Sequence, residues 1–133
     1  MVDEKMLSAV RAAMEKAYAP YSNFPVGAVV RGGNGNLYAG CNVENAAYPQ
    51  GCCAEASAIS AMVLDGQTAI TEVAVMGGGE GLVTPCGGCR QRLREFASDE
   101  VTIHICGPQG VLKSVTLGEL LPLSFGPHNL KEK

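Results

Sequence analysis

Thr84-Pro-Cys-Gly-Gly-Cys89 is the stretch on which both the predicted fold and the predicted chemistry depend. Its Thr and Pro form a favourable helix start, with the Thr as N-cap and the Pro at the first helical position. We expect this helix to run to about Ala97. Cys86 and Cys89 lie three residues apart, so their side chains share one helix face near its N-terminus. The helix dipole favours thiolate there, so the pair predicts either metal ligands or a redox pair.

A cysteine at another predicted helix start offers a third metal ligand. Residues 53–64 are apolar almost all round, which is typical of a buried helix that Asp65-Gly66 ends. Cys53 opens this helix, and Glu55 follows on a different face, so Glu55 should stand beside a metal rather than bind it. Three thiolates leave one tetrahedral position of zinc open for water, which is the catalytic pattern. A neighbouring carboxylate can then move the protons of that water.

The remaining cysteines are Cys41, Cys52 and Cys106. We expect them to be inert or core residues, because free cysteine is usually buried. Cys52 in place of Cys53 as a ligand stays an alternative. The N-terminus has no apolar targeting segment, so we expect a reducing, cytoplasmic location, where paired cysteines are metal ligands or catalytic groups before they are disulfides. His104 and His128 are expected to have no functional role.

Helices and strands alternate along the chain, which predicts a sheet with helices packed on its faces. Apolar residues at helical spacing from Met6 to Ala17 predict a first helix that Pro20 closes. A glycine-rich turn at residues 32–36 should pair the strands on either side of it antiparallel. The predicted strands are 26–30, 37–41, 73–76, 101–106 and 111–115. We expect residues 1–133 to form a single α/β domain.

The composition argues against two classes of partner. The net charge is −3 and the isoelectric point about 5.3, so no general attraction to nucleic acid or to an anionic membrane is expected. No apolar run approaches the length needed to span a bilayer. Only 17% of the residues are charged, which in so small a domain suggests that a partner subunit covers apolar surface. The cluster of Arg90, Arg92 and Arg94 is expected to be a solvated helix face or a subunit contact.

Four ordered motifs resemble those of one enzyme family. Cys53-Ala-Glu55 followed by Pro85-Cys-Gly-Gly-Cys-Arg-Gln91 resembles the zinc motifs of the small, homotetrameric cytidine deaminases. Segments 21–28, 40–46 and 119–126 resemble the substrate-binding and C-terminal segments of that family. The resemblance covers nearly the whole chain, and it implies a three-layer α/β/α sandwich around a mixed five-stranded sheet.

The resemblance also implies the chemistry. Cys53, Cys86 and Cys89 would hold one zinc ion per chain. Glu55 would be the proton shuttle between the zinc-activated water, N3 of the base and the departing ammonia, as in zinc deaminases generally. The implied reaction is the hydrolytic deamination of free cytidine and deoxycytidine to uridine and deoxyuridine, a step of pyrimidine salvage.

The substrate contacts that the resemblance implies lie mostly on predicted loops. Asn42 and Glu44 would hold the ribose hydroxyls, Phe24 would pack against the pyrimidine ring, and the backbone of Ala54 would contact the base. Without the resemblance, Asn42 and Glu44 would be ordinary loop residues and Phe24 a core residue.

Two further aromatic residues are implied to act between subunits. Tyr48 and Phe125 would enter the active site of a neighbouring subunit in a homotetramer with shared sites. The proline and glycine of the apolar segment 120–126 should limit its folding back onto its own domain.

One position departs from the family pattern. Many relatives carry arginine directly after the catalytic glutamate, where this chain has Ala56. A zinc ion with three thiolates and a hydroxide is negatively charged, so we expect two helix N-termini and Arg90 to offset that charge.

Two other functions stay open on the sequence. One is a related zinc deaminase that acts on an aminoacylnucleoside antibiotic or on a base within nucleic acid. The other is a zinc module in which the metal only stabilises the fold. The ribose-binding pattern of Asn42-Val-Glu-Asn45 argues against the first, and Glu55 beside an open coordination position argues against the second.

Overall fold

The computed structural model describes residues 3–131 and has a mixed five-stranded sheet at its centre. The strands are β1 (Val26–Gly32), β2 (Leu37–Cys41), β3 (Ile70–Gly77), β4 (Thr102–Gly107) and β5 (Gly110–Thr116). Their order is β2-β1-β3-β4-β5, with β3 and β4 parallel and the other neighbours antiparallel. The predicted α/β class and mixed sheet are confirmed. Residues 1, 2, 132 and 133 of the predicted single domain lie outside the described residues.

Helices cover both faces of this sheet. α1 (Glu4–Glu15) lies on one face, and α2 (Ala54–Leu64) and α3 (Gly87–Phe96) lie on the other. Successive strand residues point to opposite faces, so Val73 and Ala74 enter different core clusters. The cluster under α1 comprises Met6, Val10, Val29, Ala74, Met76 and Cys106. The described residues therefore have the layered arrangement that the resemblance implied.

Two glycines let helices lie directly against the strands. A Cβ on Gly27 of β1 would lie 2.5 Å from the carbonyl oxygen of Val10 and the amide nitrogen of Met14 in α1. A Cβ on Gly40 of β2 would lie 2.4 Å from the amide nitrogen of Ala58 in α2. Any larger residue would push its helix away, so the bare backbone at Gly40 sets how closely α2 packs against β2.

The start of α3 lies later than the sequence predicted. The helix begins at Gly87 with Cys86 as its N-cap, so the prediction of Thr84 as N-cap is wrong. The hydroxyl of Thr84 instead accepts a hydrogen bond of 3.0 Å from the guanidinium of Arg90, and the carbonyl of Pro85 accepts one of 2.8 Å from the same side chain. These side-chain contacts bind residues 84 and 85 where they lie, outside the helix.

The all-round burial predicted for the second helix is also wrong. α2 buries Ala54, Ala58 and Met62, but Val63 is 43% and Leu64 90% exposed. An outer helix of a layered fold contacts the sheet along one side, so apolar residues at the opposite side and at its end remain on the surface. This apolar surface agrees with the expectation that a partner subunit covers part of the domain.

Three short helices were not predicted: a 3₁₀ helix over Tyr48–Gln50, α4 (Leu117–Leu120) and α5 (His128–Lys131). α4 begins with a capping box, in which the Thr116 hydroxyl accepts from the amide of Glu119 and the Glu119 carboxylate accepts from the amide of Thr116. The Thr-x-x-Glu pattern was present in the sequence as a signal for this helix.

The C-terminal segment folds back onto its own domain, contrary to expectation. Arg94 Nε donates to Ser124 Oγ at 2.9 Å, and Gln91 Nε2 donates to the carbonyl oxygen of Phe125 at 2.8 Å. Arg90 also donates to the carbonyl oxygen of Leu120 at 2.9 Å. Polar side chains of α3 therefore hold the segment along that helix. Among the described residues, no helix has the length and apolar character needed to cross a membrane.

Candidate metal centre and substrate pocket

Three cysteine sulfurs meet where α2 and α3 begin. Cys53 is the N-cap of α2, Cys86 is the N-cap of α3, and Cys89 is the third residue of α3. Their Sγ atoms all lie within 4.8 Å of one another. The side chain of Cys53 does not bond back to α2, so first-turn amides of that helix are left to stabilise negative charge nearby.

This cluster has a buried side and an open side. Cys89 is fully buried, whereas Cys53 and Cys86 are exposed. Burial raises the pKa of the Cys89 and Cys53 thiols, while a hydrogen bond from the backbone N–H of Cys89 lowers the pKa of Cys86. A metal ion that binds thiolates must displace their protons. Because Cys53 and Cys86 are exposed, a metal ion can reach the cluster from solvent.

The donor set fits zinc. Zinc–sulfur bonds of about 2.3 Å in tetrahedral geometry place sulfur ligands about 3.8 Å apart. The sulfurs here lie within 4.8 Å of one another, so little adjustment is needed. Thiolate is a soft ligand that suits zinc and does not suit magnesium or calcium. Three protein ligands also leave one tetrahedral position open, as in catalytic rather than structural zinc sites.

The other cysteines are directed elsewhere. Cys52 Sγ lies 3.6 Å from the carbonyl oxygen of Cys53 and 3.5 Å from Ser57 Oγ. Cys53, and not Cys52, therefore converges with the two cysteines of α3. Cys106 is buried in the core under α1, and Cys41 Sγ lies 3.8 Å from the carbonyl oxygen of Lys16.

Glu55 stands beside the sulfur cluster. It is the second residue of α2, and only 4% of it is exposed. Burial raises the pKa of its carboxyl, against the opposing effects of its own backbone N–H and of the Cys89 side chain. Within residues 3–131, the group of potential metal ligands at this place contains the three cysteines and does not include Glu55.

Arg90 is engaged with oxygen atoms around the start of α3. All its hydrogen bonds in the structure run to oxygen atoms: the carbonyls of Pro85 and Leu120 and the hydroxyl of Thr84. It thereby ties the loop before Cys86 to the start of the C-terminal segment. In the described part of the chain the structure records no hydrogen bond from Arg90 to a candidate ligand sulfur, and its part in offsetting the metal-centre charge stays a prediction.

Asn42 connects the end of β2 to the loop that carries Phe24. Its Oδ1 accepts from the amide of Val26 at 2.9 Å, and its Nδ2 donates to the carbonyl oxygen of Phe24 at 3.0 Å. The Phe24 residue is 39% exposed and therefore is not a core residue. Asn42 positions the backbone from which this ring projects.

Glu44 receives three hydrogen bonds from the same loop. Oε1 accepts from the amides of Tyr21 at 2.9 Å and Ser22 at 3.1 Å, and Oε2 accepts from the Ser22 hydroxyl. The Ser22 hydroxyl is the main reason that the pKa of Glu44 lies below its usual value. Ser22 was missing from the predicted site residues, because no local spacing links it to a residue so far along the chain.

A cleft of about 340 Å³ lies beside this carboxylate. Its lining residues are Tyr21, Ser22, Glu44, Asn45, Tyr48 and Gly51. The rings of Tyr21 and Tyr48 meet edge to face, with centroids 6.0 Å apart. The predicted ribose-binding residue Glu44 and the predicted inter-subunit residue Tyr48 therefore line one cleft.

Backbone pairing joins this cleft to the metal centre. The amide of Val43 donates to the carbonyl oxygen of Cys52 at 2.9 Å, and the amide of Cys52 donates back at 2.8 Å. Val43 lies between Asn42 and Glu44, and Cys52 precedes the first candidate ligand, Cys53. This bridge holds the predicted ribose-binding segment in register with the start of α2.

The remaining predicted contacts differ in burial. Ala54 is buried in the first turn of α2, where amide groups lack helical partners. Tyr48 is 76% and Phe125 58% exposed, so neither side chain is enclosed by the described part of its own chain.

Comparison with known proteins gives concordant results. Residues 1–105 match the sequence model of the cytidine and deoxycytidylate deaminase zinc-binding region. The chain is 39% identical to a cytidine deaminase of Sporosarcina psychrophila over 127 residues, covering 96% of this chain and 93% of that protein. It is also 39% identical to a cytidine deaminase of Mycobacterium tuberculosis over 115 residues, covering 86% and 82% of the two chains.

The fold is similar as well. The crystal structure of a cytidine deaminase from Burkholderia pseudomallei superimposes with a TM-score of 0.87 at 38% sequence identity, covering 94% of this chain and all of the other. The crystal structure of the Mycobacterium tuberculosis cytidine deaminase gives a TM-score of 0.82 at 37% identity, covering 95% of this chain and 99% of the other.

Proposed function

The chain belongs to the family of zinc-dependent cytidine and deoxycytidylate deaminases, and we propose that it deaminates free cytidine and deoxycytidine. Water adds at C4 of the base and ammonia leaves, which gives uridine or deoxyuridine. The observation that carries this proposal is the meeting of three cysteine sulfurs with the buried carboxyl of Glu55 at the start of two helices. As a member of this family the protein is a hydrolase.

The proposed catalytic roles follow from this placement. Zinc held by Cys53, Cys86 and Cys89 would supply a Lewis acid that lowers the pKa of water. Glu55 would accept a proton from that water at its carboxylate and deliver protons to N3 of the pyrimidine and to the departing amine. Its burial keeps bulk water from competing for those protons. The free first-turn amide groups near Ala54 would contact the base.

The ribose-binding proposal requires unused hydrogen-bonding capacity on Asn42 and Glu44. A carboxylate offers about four acceptor positions, and the contacts to Tyr21 and Ser22 use three of them. Asn42 uses one donor and one acceptor position of its amide, and a second of each remains. One acceptor on Glu44 and one donor and one acceptor on Asn42 therefore remain for sugar hydroxyls. The half-exposed ring of Phe24 would lie against the pyrimidine.

A free nucleoside fits better than a base within a nucleic acid strand. The chain carries a net charge of −3, so its overall field repels polyphosphate. Glu44 adds an anionic side chain at the proposed ribose site, where a strand would bring phosphates close. An uncharged nucleoside meets neither obstacle.

The proposal includes a homotetramer with shared active sites. Tyr48 and Phe125 are large, exposed aromatic side chains. Leu123, which lies between α4 and Phe125 in the C-terminal segment, is fully exposed. Such side chains favour burial against another subunit, where the two aromatic rings would complete a neighbouring site. A cytoplasmic role in pyrimidine salvage suits a metal centre whose thiols must remain reduced.

The decisive experiment measures cytidine turnover and zinc in the same purified sample. The proposal expects about one zinc per chain, loss of the cytidine absorbance and release of one ammonia per uridine formed. Deoxycytidine should react as well, whereas a cytosine in single-stranded DNA should not. A protein that holds stoichiometric zinc but turns over neither nucleoside would contradict the proposal and favour a structural metal.

A further inference from the structure

The metal centre carries negative charge, and the residue that follows Glu55 has no charged side chain to offset it. Three thiolates outweigh one zinc ion by one negative charge, and an ionised Glu55 adds another. Cys89 and Glu55 are both buried, so water screens these charges poorly. The N-termini of α2 and α3 each supply about half a positive charge. Position 56, the next side chain after Glu55, is an alanine and supplies none.

Arg92 reaches this centre from α3. Its Nη1 lies 3.8 Å from Cys89 Sγ, three residues earlier on the same helix. A Cβ on Gly88 would lie 3.3 Å from that nitrogen and 4.0 Å from Cys86 Sγ. The guanidinium therefore lies over the bare backbone of Gly88 and contacts the sulfur of Cys89.

The two other arginines of this helix are engaged with oxygen atoms. Arg90 donates to two carbonyls and a hydroxyl around the start of α3. Arg94 donates to Ser124 Oγ at 2.9 Å and to the carbonyl oxygen of Ala97 at 3.2 Å. Within residues 3–131, Arg92 is the cation for which the structure records a hydrogen bond to a candidate ligand sulfur.

We propose that Arg92 is the charge-compensating residue of the metal centre, in place of an arginine at position 56. Its positive charge lies 3.8 Å from Cys89 Sγ and stabilises the anionic metal complex, so zinc leaves more slowly. Arg92 acts through the sulfur ligands and does not touch the substrate. The proposal concerns the zinc centre on which the proposed function rests, but zinc retention tests it independently of turnover.

The test compares zinc transfer to a chromophoric chelator for the wild-type protein and four variants at low ionic strength. Arg92→Gln removes the charge and keeps a helix-compatible side chain, and Arg92→Lys keeps the charge. Arg11→Gln is the matched control, because it removes one guanidinium from an exposed contact with the carbonyl oxygen of Pro108. The double variant Arg92→Gln with Ala56→Arg restores a cation beside Glu55.

We expect Arg92→Gln to release zinc about 10-fold faster, the lower end of the effect of outer-sphere partners on metal affinity. Arg92→Lys and the double variant should recover most of the loss, and Arg11→Gln should match the wild type. Added salt should shrink the difference, since the guanidinium is reached by solvent.

Cobalt in place of zinc gives an absorption band whose wavelength depends on the charge around the sulfur ligands. A purely structural role of Arg92 would leave that wavelength unchanged. Loss of the positive charge makes the thiolates better electron donors, so the sulfur-to-cobalt charge-transfer band of Arg92→Gln should shift to longer wavelength. Zinc release within twofold of the wild type, or an unchanged band in Arg92→Gln, would overturn the assignment. Cytidine turnover of the wild type, measured alongside, separates failure of this proposal from failure of the proposed function.

Discussion

The metal centre lies at the ends of two packed helices, whereas the proposed nucleoside contacts lie on loops and on the C-terminal segment. α2 and α3 both pack on the sheet core, and they bring three sulfurs within 4.8 Å of one another inside one chain. Glu55 is buried beside them. On the substrate side, Phe24, Tyr48 and Phe125 are 39%, 76% and 58% exposed.

The two regions also differ in what holds them. Close backbone packing holds the first turn of α2 against β2, as the 2.6 Å between a Cβ on Gly40 and the carbonyl oxygen of Ala54 illustrates. The loop that carries Phe24 is instead held by hydrogen bonds between its backbone and the side chains of Asn42 and Glu44. We therefore expect substitutions in the metal centre to abolish activity and substitutions on the substrate side to weaken it by degrees.

The largest effect should come from the adjacent cysteines Cys53 and Cys52. Cys53→Ala removes one of the three converging sulfurs, so zinc and activity should both be lost. Cys52→Ala is the matched control, because its sulfur contacts the carbonyl oxygen of Cys53 and Ser57 Oγ instead. Zinc analysis of both purified variants, with cytidine turnover, checks this. Equal zinc loss in the two would mean that the ligand set is misassigned.

Glu55→Gln separates chemistry from metal binding within the same region. The carboxyl is buried but is not one of the converging ligands, so zinc content should hold while turnover collapses. General acid–base groups contribute roughly 10²–10⁴-fold, and this one would serve several proton transfers, so we expect the upper end or beyond. Single-turnover rates and zinc content give the answer. A loss below tenfold would assign the proton transfers to another residue.

Substitution of Phe125 tests whether another subunit completes the substrate side of the site. Aromatic stacking on a base is worth roughly 1–3 kcal/mol, so Phe125→Ala should lower kcat/KM about 5- to 150-fold with fold and zinc kept. The main chain of Phe125 is held by Gln91 and its side chain is exposed. Steady-state kinetics and circular dichroism check this expectation.

Mixing two impaired variants decides which subunit Phe125 serves. Co-assembly of Glu55→Gln with a Phe125 variant shown to be inactive should restore part of the activity, because some sites then combine an intact Glu55 with an intact neighbouring Phe125. Oligomers of Glu55→Gln alone are the control. Proven mixed oligomers without recovery would show that Phe125 acts in its own chain.

Within each helix start the placement of the site residues could be predicted from the sequence, because that information is local, whereas the meeting of Cys53 with the cysteines of α3 was indicated by zinc chemistry and by the resemblance. Cys86 and Cys89 are three residues apart, and Cys53 and Glu55 share one helix start, so spacing alone predicts their relative placement. The exact beginning of α3 could not be read in this way. The Arg90 side chain bonds to Pro85 and Thr84, which lie outside the helix, and the direction of such a long side chain depends on its neighbours in space.

The loop half depends on contacts between distant positions. Glu44 bonds to Ser22, and Gln91 bonds to Phe125, across 22 and 34 residues respectively. No periodicity links such pairs, so the resemblance to a family indicated roles for Glu44 and Phe125, whereas Ser22 was only part of a matching segment and received no role of its own. Arg92 was visible only as one of three arginines, because the direction of a long side chain depends on its neighbours in space.

The smallest effect should come from Ser22, which holds the carboxylate of Glu44. Ser22→Ala removes the hydroxyl bond and leaves the two backbone amide bonds of Tyr21 and Ser22 in place. The carboxylate then rotates more freely, so KM for cytidine should rise severalfold with kcat unchanged, the pattern of lost uniform binding. Ser22→Thr keeps the hydroxyl and should stay close to the wild type.

A pH titration sharpens the same point. The Ser22 hydroxyl lowers the pKa of Glu44 below its ordinary value of 4.5. A carboxyl whose pKa is lowered by folding stabilises the folded loop at pH values above 4.5 and loses that contribution as the pH falls through the lowered value. In Ser22→Ala the main cause of the lowering is gone, so the loop should respond to acid at a higher pH. The amide resonances of residues 21 and 22, followed by NMR between neutral and acid pH, report this midpoint. An unchanged midpoint in Ser22→Ala would mean that the backbone amides alone hold the carboxylate. The loop would then be held without the Ser22 hydroxyl, and this difference from the helix starts at the metal centre would be smaller than we infer.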